Sequence, residues 1–236
     1  KVSFRINPGK MKNYYNEVKK ITVNNIYSID RIGLDDAFES GQSLTLGFNY
    51  RKENKEISSK YFDFELATVI RDKKNDKIPK TSTINNKYSN LFGSASYNFI
   101  DNFKLRYNFS LDNNLEAIEY SSVTADFAIA NFKTKIDFIE ENSVIGNTNS
   151  IKNETKFDFS ENNTLKFNTR RNRKINLTEY YDFVYEYTND CLVAGLKYRK
   201  TYYEDRDLKP AEDLMFTITL YPLTNYEQKI DQNFYK

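Results

Sequence analysis

Histidine and tryptophan are absent from this 236-residue chain, and cysteine occurs once, at Cys191. Without histidine there is no imidazole base, no Ser-His or Cys-His nucleophile pair and no histidine metal ligand. Glycine, at 7 residues, is too scarce for a phosphate-cradling loop, and no P-loop or dinucleotide fingerprint occurs. Carboxylates are plentiful, yet none stand at a spacing that would mark a paired acid and base. These absences predict a protein that is not an enzyme and carries no metal and no cofactor. No stretch approaches the roughly 18 to 20 continuous apolar residues of a membrane-spanning helix. An excess of one charge is also missing: 35 basic residues face 33 acidic ones, a balance that gives no reason to expect nucleic acid as a partner.

What the chain does have is aromatics, 19 Tyr and 18 Phe in a composition only 39% hydrophobic. Such side chains suit the pleated surface of a sheet. In "FKLRYNFSL" (103–111), Phe103, Leu105, Tyr107, Phe109 and Leu111 alternate with Lys104, Arg106, Asn108 and Ser110. The same two-residue period recurs from Leu44 to Tyr50, Phe62 to Ile70, Ala95 to Phe99, Val123 to Ile129, Phe132 to Phe138, Phe157 to Phe159, Leu165 to Arg170, Tyr181 to Tyr187, Leu192 to Arg199 and Leu214 to Leu220. Counted this way the chain holds about eleven strands. Short "DN" (101–102), "DNN" (112–114), "ENN" (161–163) and "TND" (188–190) connections predict tight antiparallel hairpins, because Asn and Asp tolerate left-handed backbone and bond it with their side chains. The charged stretches 51–60, 71–87, 142–150 and 202–213 read as solvated loops.

Residues 1–40 alternate little and are basic and Asn-rich. They read as an irregular lead-in with one short strand at 21–27, followed by one β-domain over 41–222 and a tail over 223–236. Two architectures hide one face of such a sheet: a soluble sandwich or barrel with its apolar side inside, or a membrane barrel with its apolar side outside. Three features favour the second. A tilted strand of about nine residues matches an apolar band about 25 Å tall. The polar face stays charged at mid-strand, as at Lys104, Arg106, Lys133, Lys135 and Asp137, and aromatics crowd the strand ends, as at Tyr50, Phe62 and Phe99, which suits rings at a headgroup boundary. The expected fold is therefore all-β, an antiparallel meander of long strands forming part of a transmembrane outer-membrane β-barrel. A general porin-like channel, and a soluble β-barrel or sandwich binding sugar or lipid, stay open as alternatives.

Two segments carry a resemblance. "NIYSIDRIGLDDAFESGQSLTLGFNYR" (25–51) sets Arg31, Asp36, Glu39 and Gly41 at fixed spacing before a strand, and "YTNDCLVAGLKYRKTYYEDRDLKPAEDLMFTITL" (187–220) joins a Tyr-x-x-x-Cys hairpin, a basic strand, a charged loop and a final alternating strand. Together they resemble the barrel of the LptD (organic-solvent-tolerance protein) family, alphaproteobacterial type, although Ala37 departs from the Arg often found after that Asp. The likeness extends over about residues 21–222 and implies the C-terminal part of a larger barrel. It further implies a non-enzymatic translocon in the bacterial outer membrane that assembles lipopolysaccharide into the outer leaflet. The implied partners are lipopolysaccharide, outer-membrane lipids, a periplasmic Lpt bridge acting through an N-terminal domain missing from this sequence, and an LptE-like plug lipoprotein.

The resemblance also implies a disulfide from Cys191 to a cysteine outside this sequence. Asp190 stands where a first cysteine would be, so at most one such bridge can form. Arg31, Asp36 and Glu39 read either as an inward ion-pair cluster that fixes a loop or as a solvated turn, and Gly41 as a residue with a special backbone angle. Lys104, Arg106, Lys133 and Lys135 read as lumen-facing charges that attract glycolipid phosphates, or that hydrate the interior and pair with neighbouring carboxylates.

Overall fold

The computed structural model describes residues 1–34, 38–202 and 210–220 in full and 224–230 by backbone alone. Among these residues thirteen strands run in chain order: β1 (Val2–Asn7), β2 (Gly41–Glu53), β3 (Tyr61–Arg71), β4 (Leu91–Tyr97), β5 (Phe103–Leu111), β6 (Ile118–Ile129), β7 (Phe132–Asn142), β8 (Asn147–Ser160), β9 (Asn163–Asn172), β10 (Leu177–Thr188), β11 (Leu192–Thr201), β12 (Ala211–Leu220) and β13 (Thr224–Ile230). The alternating segments of the sequence correspond to β2 through β12, and the fold is the all-β antiparallel meander of an outer-membrane barrel segment. The chain divides into two compact units, residues 1–123 with 139–148 and residues 124–138 with 149–236.

Three features differ from the sequence reading. Residues 23–27 form turns and no strand occupies 21–27. Asn25 accounts for this, since its Oδ1 accepts from Thr22 N at 2.9 Å and its Nδ2 donates to the Lys20 carbonyl at 3.1 Å, while Ile26 N bonds the Thr22 carbonyl at 3.0 Å. The lead-in does hold a strand, but earlier, at β1. There Val2, Phe4 and Ile6 are exposed and Ser3, Arg5 and Asn7 point the other way, with Arg5 directly opposite Ser43 in β2. The segment read as a tail contains β13, which pairs with β12 from Leu214↔Ile230 to Leu220↔Thr224.

In the first unit, register puts apolar with apolar on one face: Phe48 faces Leu66, and Leu66 faces Gly93, which in turn faces Phe109. Phe109 covers Gly93 so closely that a Cβ there would stand 2.1 Å from the ring's Cζ. The opposite face is the covered one. Thr45 is 3% exposed and Ser43 likewise, whereas Phe48 on the alternate side is 56% exposed. This inverts a soluble sheet and is the arrangement of a strand between lipid and a polar interior.

The cover over that inner face comes from the two long connections, 8–40 and 72–90, which antiparallel pairing places at the same end of the strands. Their Met11, Ile21, Val23, Ile26, Ile32, Ile78 and Ile84 pack with Ala67, Val69 and Phe92 into a small core. Each fully buried isoleucine there is worth about 1.5–3 kcal/mol relative to exposure.

In the second unit the register repeats the same logic. One outward row runs Phe157, Leu165, Tyr185, Leu196, Phe216 across β8 to β12, and its neighbour runs Phe167, Phe183, Tyr198, Leu214. Between them on the other face lie Lys166, Val184, Lys197 and Met215. The hairpins are closed by the side chains that turn chemistry calls for: Asn189 Oδ1 accepts from Cys191 N at 3.0 Å and from Leu192 N at 2.9 Å.

Candidate functional site

The inner side of the first unit is built around one carboxylate. Glu39 lies just before β2, and the strand pairing brings Arg5 from β1 and Arg71 from β3 to opposite flanks of Ser43. Arg31 arrives from the lead-in. Arg31 Nε donates to Glu39 Oε2 at 2.6 Å and its Nη2 to Oε1 at 2.5 Å; Arg71 Nη1 donates to Oε1, and Arg5 Nη1 to Oε2 at 3.1 Å. The remaining Arg31 donors reach Thr45 Oγ1 at 2.9 Å, Ser43 Oγ at 3.0 Å and the Ile26 carbonyl at 3.3 Å. All three side chains nearest the centre are enclosed, with Arg31, Glu39 and Arg71 at 0%, 2% and 1% exposure.

Burial pushes the Glu39 carboxyl up, but the Arg31 bonds and the charges of Arg31, Arg71 and Arg5 outweigh it and hold the group below its ordinary value. Three guanidiniums share one carboxylate, so positive charge remains in excess. Gly41, at φ +91°, sits in the left-handed region that favours glycine, and a Cβ there would come within 3.2 Å of Arg71 Nη2. A second tie holds the lead-in: Lys20 Nζ stands 3.1 Å from the Tyr120 ring centroid and 3.3 Å from Glu141 Oε1. Burial lowers the Lys20 ammonium, with Glu141 opposing that shift.

Of the residues singled out in the sequence, Arg31, Glu39 and Gly41 come together in this cluster, and Asp36 lies outside the described residues. Residues 203–209 of the charged loop and 231–236 of the tail lie outside them as well. Lys104 and Arg106 share the β5 face that ends in buried Ser110, whose Oγ accepts from Asn90 Nδ2 at 3.0 Å. Lys133 and Lys135 share the β7 face of Asp137, and Lys135 Nζ stands 3.0 Å from Asp137 Oδ2. None of these four charges joins the Glu39 cluster's hydrogen bonds or ion pairs described above. Cys191 is an exposed free thiol at the β10–β11 turn.

Sequence reasoning missed Arg5, Arg71, Ser43 and Thr45. Their signal was parity: each falls on the polar phase of a strand whose other phase is Phe4, Leu44 or Ile70.

The inner face of the second unit carries ion pairs between neighbouring strands. Buried Asp182 accepts from Arg199 Nε at 2.6 Å and Nη2 at 2.7 Å, with Lys197 Nζ at 3.5 Å. Lys166 pairs with Glu186 at 2.9 Å and Arg170 with Glu179 at 3.0 Å, while Lys156 pairs with Asp158 of its own strand at 2.9 Å. Among the described residues no group of acidic or cysteine side chains is arranged to hold a metal ion.

Residues 14–137 match the model of a family described as LptD: LPS transport system D. No curated protein matches the chain. Similar solved structures include engineered variants of the Rh. blastica porin. One has 11% identity at TM-score 0.42, covering 82% of this chain and 84% of that one. Two others have 10% identity at TM-scores 0.44 and 0.43, covering 83% of this chain and 85% of theirs.

Proposed function

The chain belongs to the LptD family, LPS transport system D, and from that premise we propose that it forms part of an outer-membrane translocon that assembles lipopolysaccharide into the outer leaflet without enzymatic chemistry. The observation that carries this reading is the inside-out sheet. Phe48, Phe157, Phe167 and Phe216 lie exposed while Ser43, Thr45, Ser110 and Asp182 are buried, so hydrocarbon suits the outer face and polar cargo the inner one. A diffusion channel fits less well, because the connections 8–40 and 72–90 cover the inner side of the first unit. Lys104, Arg106, Lys133 and Lys135, on polar strand faces, would meet phosphates of a passing glycolipid.

The partners that go with this role are a periplasmic Lpt bridge and an LptE-like plug lipoprotein, together with outer-membrane lipids. Depleting the full-length protein tests it: surface lipopolysaccharide falls while other outer-membrane barrels persist. Unchanged surface lipopolysaccharide would reject the role. The exposed Cys191 thiol, at a turn in a compartment that oxidises thiols, is proposed to bond a cysteine beyond this sequence. In the non-reduced full-length protein Cys191 then resists alkylation, and free labelling would exclude the bond.

A further inference from the structure

We propose that the cavity at the ends of β1, β2 and β3 is a binding site for phosphate groups, supplied by a phosphorylated glycolipid headgroup. The proposal rests on the transport reading above and adds to it a place and a chemistry. The cavity has a volume of about 620 Å³, within the range of about 300–1,000 Å³ typical of ligand pockets. Gly41 and Arg71 form part of its floor, and Lys73, Lys74 and Lys77 stand around it.

Four observations give it an anion's chemistry. Arg71 donates Nη1 to Glu39 and Nη2 to the Ser40 carbonyl at 2.5 Å, yet its Nε is buried without a hydrogen-bond partner. That unpaired donor leaves the Arg71 guanidinium incompletely satisfied and adds to the positive potential beneath the cavity. Next, the Glu39 carboxylate beneath the cavity is divided among three guanidiniums, so positive charge there remains in excess. At the rim, Lys73 and Lys77 are exposed and make no ion pair among the described residues, whereas Lys74 is held by Asp76 at 2.9 Å. Asp72 and Asp76 also line the cavity, but both are exposed, and three lysines and Arg71 exceed them.

Finally, the loop bearing these lysines is fixed in place. Asn75 Nδ2 donates to the Ser40 carbonyl and hydroxyl, each at 3.2 Å, and Asn75 N bonds the Asn85 carbonyl at 2.8 Å. Arginine offers phosphate a planar fork of donors and lysine a mobile point charge, a pairing that suits a phosphorylated sugar better than a lone carboxylate.

The test uses purified full-length protein in detergent and three probes: inorganic phosphate, phosphorylated lipopolysaccharide, and the same lipopolysaccharide after phosphatase treatment. The comparison variant carries Lys73→Gln, Lys74→Gln and Lys77→Gln together; all three side chains are exposed, and unchanged thermal unfolding confirms that the variant is folded. Removing the lipid phosphates, or the three lysines, is expected to weaken lipopolysaccharide binding roughly tenfold or more, the loss of about one charge-assisted bond. Equal binding of phosphorylated lipopolysaccharide by the variant and the unaltered protein overturns the proposed cavity and leaves the transport reading standing. Lysine-dependent binding of inorganic phosphate, with neither lipopolysaccharide form bound, supports the phosphate chemistry of the cavity and removes the lipid source and the transport reading together.

Discussion

The two units use the same strand grammar and fill their inner sides differently. In the first, the polar face is covered by a packed interior: ten hydrophobic residues, from Met11 to Phe92, are buried there around the Arg31–Glu39–Arg71 cluster. In the second, Ser150, Asp182 and Gly195 are the only buried positions among the described residues, and no hydrophobic side chain joins them. The polar face there is maintained by partly hydrated ion pairs between adjacent strands, such as Lys166–Glu186. Alternation sets which face meets lipid in both units, but only segments outside the alternation decide whether the other face is plugged or wet.

The sharpest way to break this comparison is at Glu39. Glu39→Ala leaves the Arg31 and Arg71 guanidiniums buried without their carboxylate, with partly exposed Arg5 beside them, and is expected to cost about 3–5 kcal/mol. The measurement is hydrogen exchange, with residues 20–34 losing protection while β9 to β11 keep theirs. Next comes Ile26→Ala, expected to cost about 2–5 kcal/mol through the cavity it leaves, read from unfolding in detergent. Phe167→Arg in the second unit probes the shared outer face. A charge toward lipid near mid-depth costs about 2–4 kcal/mol, seen as reduced folding into vesicles, and an unchanged yield would mean that this face does not meet hydrocarbon. The smallest effect belongs to Glu186→Ala. A half-exposed pair contributes about 0–1 kcal/mol, so the second unit should barely respond.

Acid acts on the Glu39 cluster as well. The Glu39 carboxyl titrates below its ordinary value of 4.5 when folded, so the unfolded chain binds the proton first as pH falls. Its stabilisation is complete above that ordinary value and is lost as pH drops through the lower folded value. Protease sensitivity within 20–34 should rise over that acid range in the unaltered protein. In Glu39→Gln it should already be high at neutral pH.

Much of this was legible beforehand because period two survives any tertiary context. Phe103 to Leu111 could be assigned a face with no knowledge of the neighbours, and β2 through β12 followed. The lead-in was less legible because its apolar residues obey no period: Ile21, Val23, Ile26 and Ile32 are buried by a path that Asn25 bends. Arg31 and Glu39 stood out through the family resemblance of 25–51, but Arg5 and Arg71 are joined to them only by strand register, which pairs Ser43 with both. β1 escaped because six residues are a short sample of any alternation.

In either unit each strand of a described pair bonds the strand that precedes or follows it in sequence. Such pairing lets a growing chain settle one hairpin before the next is delivered, with no wait for a distant partner. The Glu39 cluster departs from that economy, since Arg5 and Arg71 reach it from 34 and 32 residues away. Were strands handed into a membrane in order, the Glu39 cluster would close once β3 arrived, before the 72–90 connection and Phe92 completed the core over it.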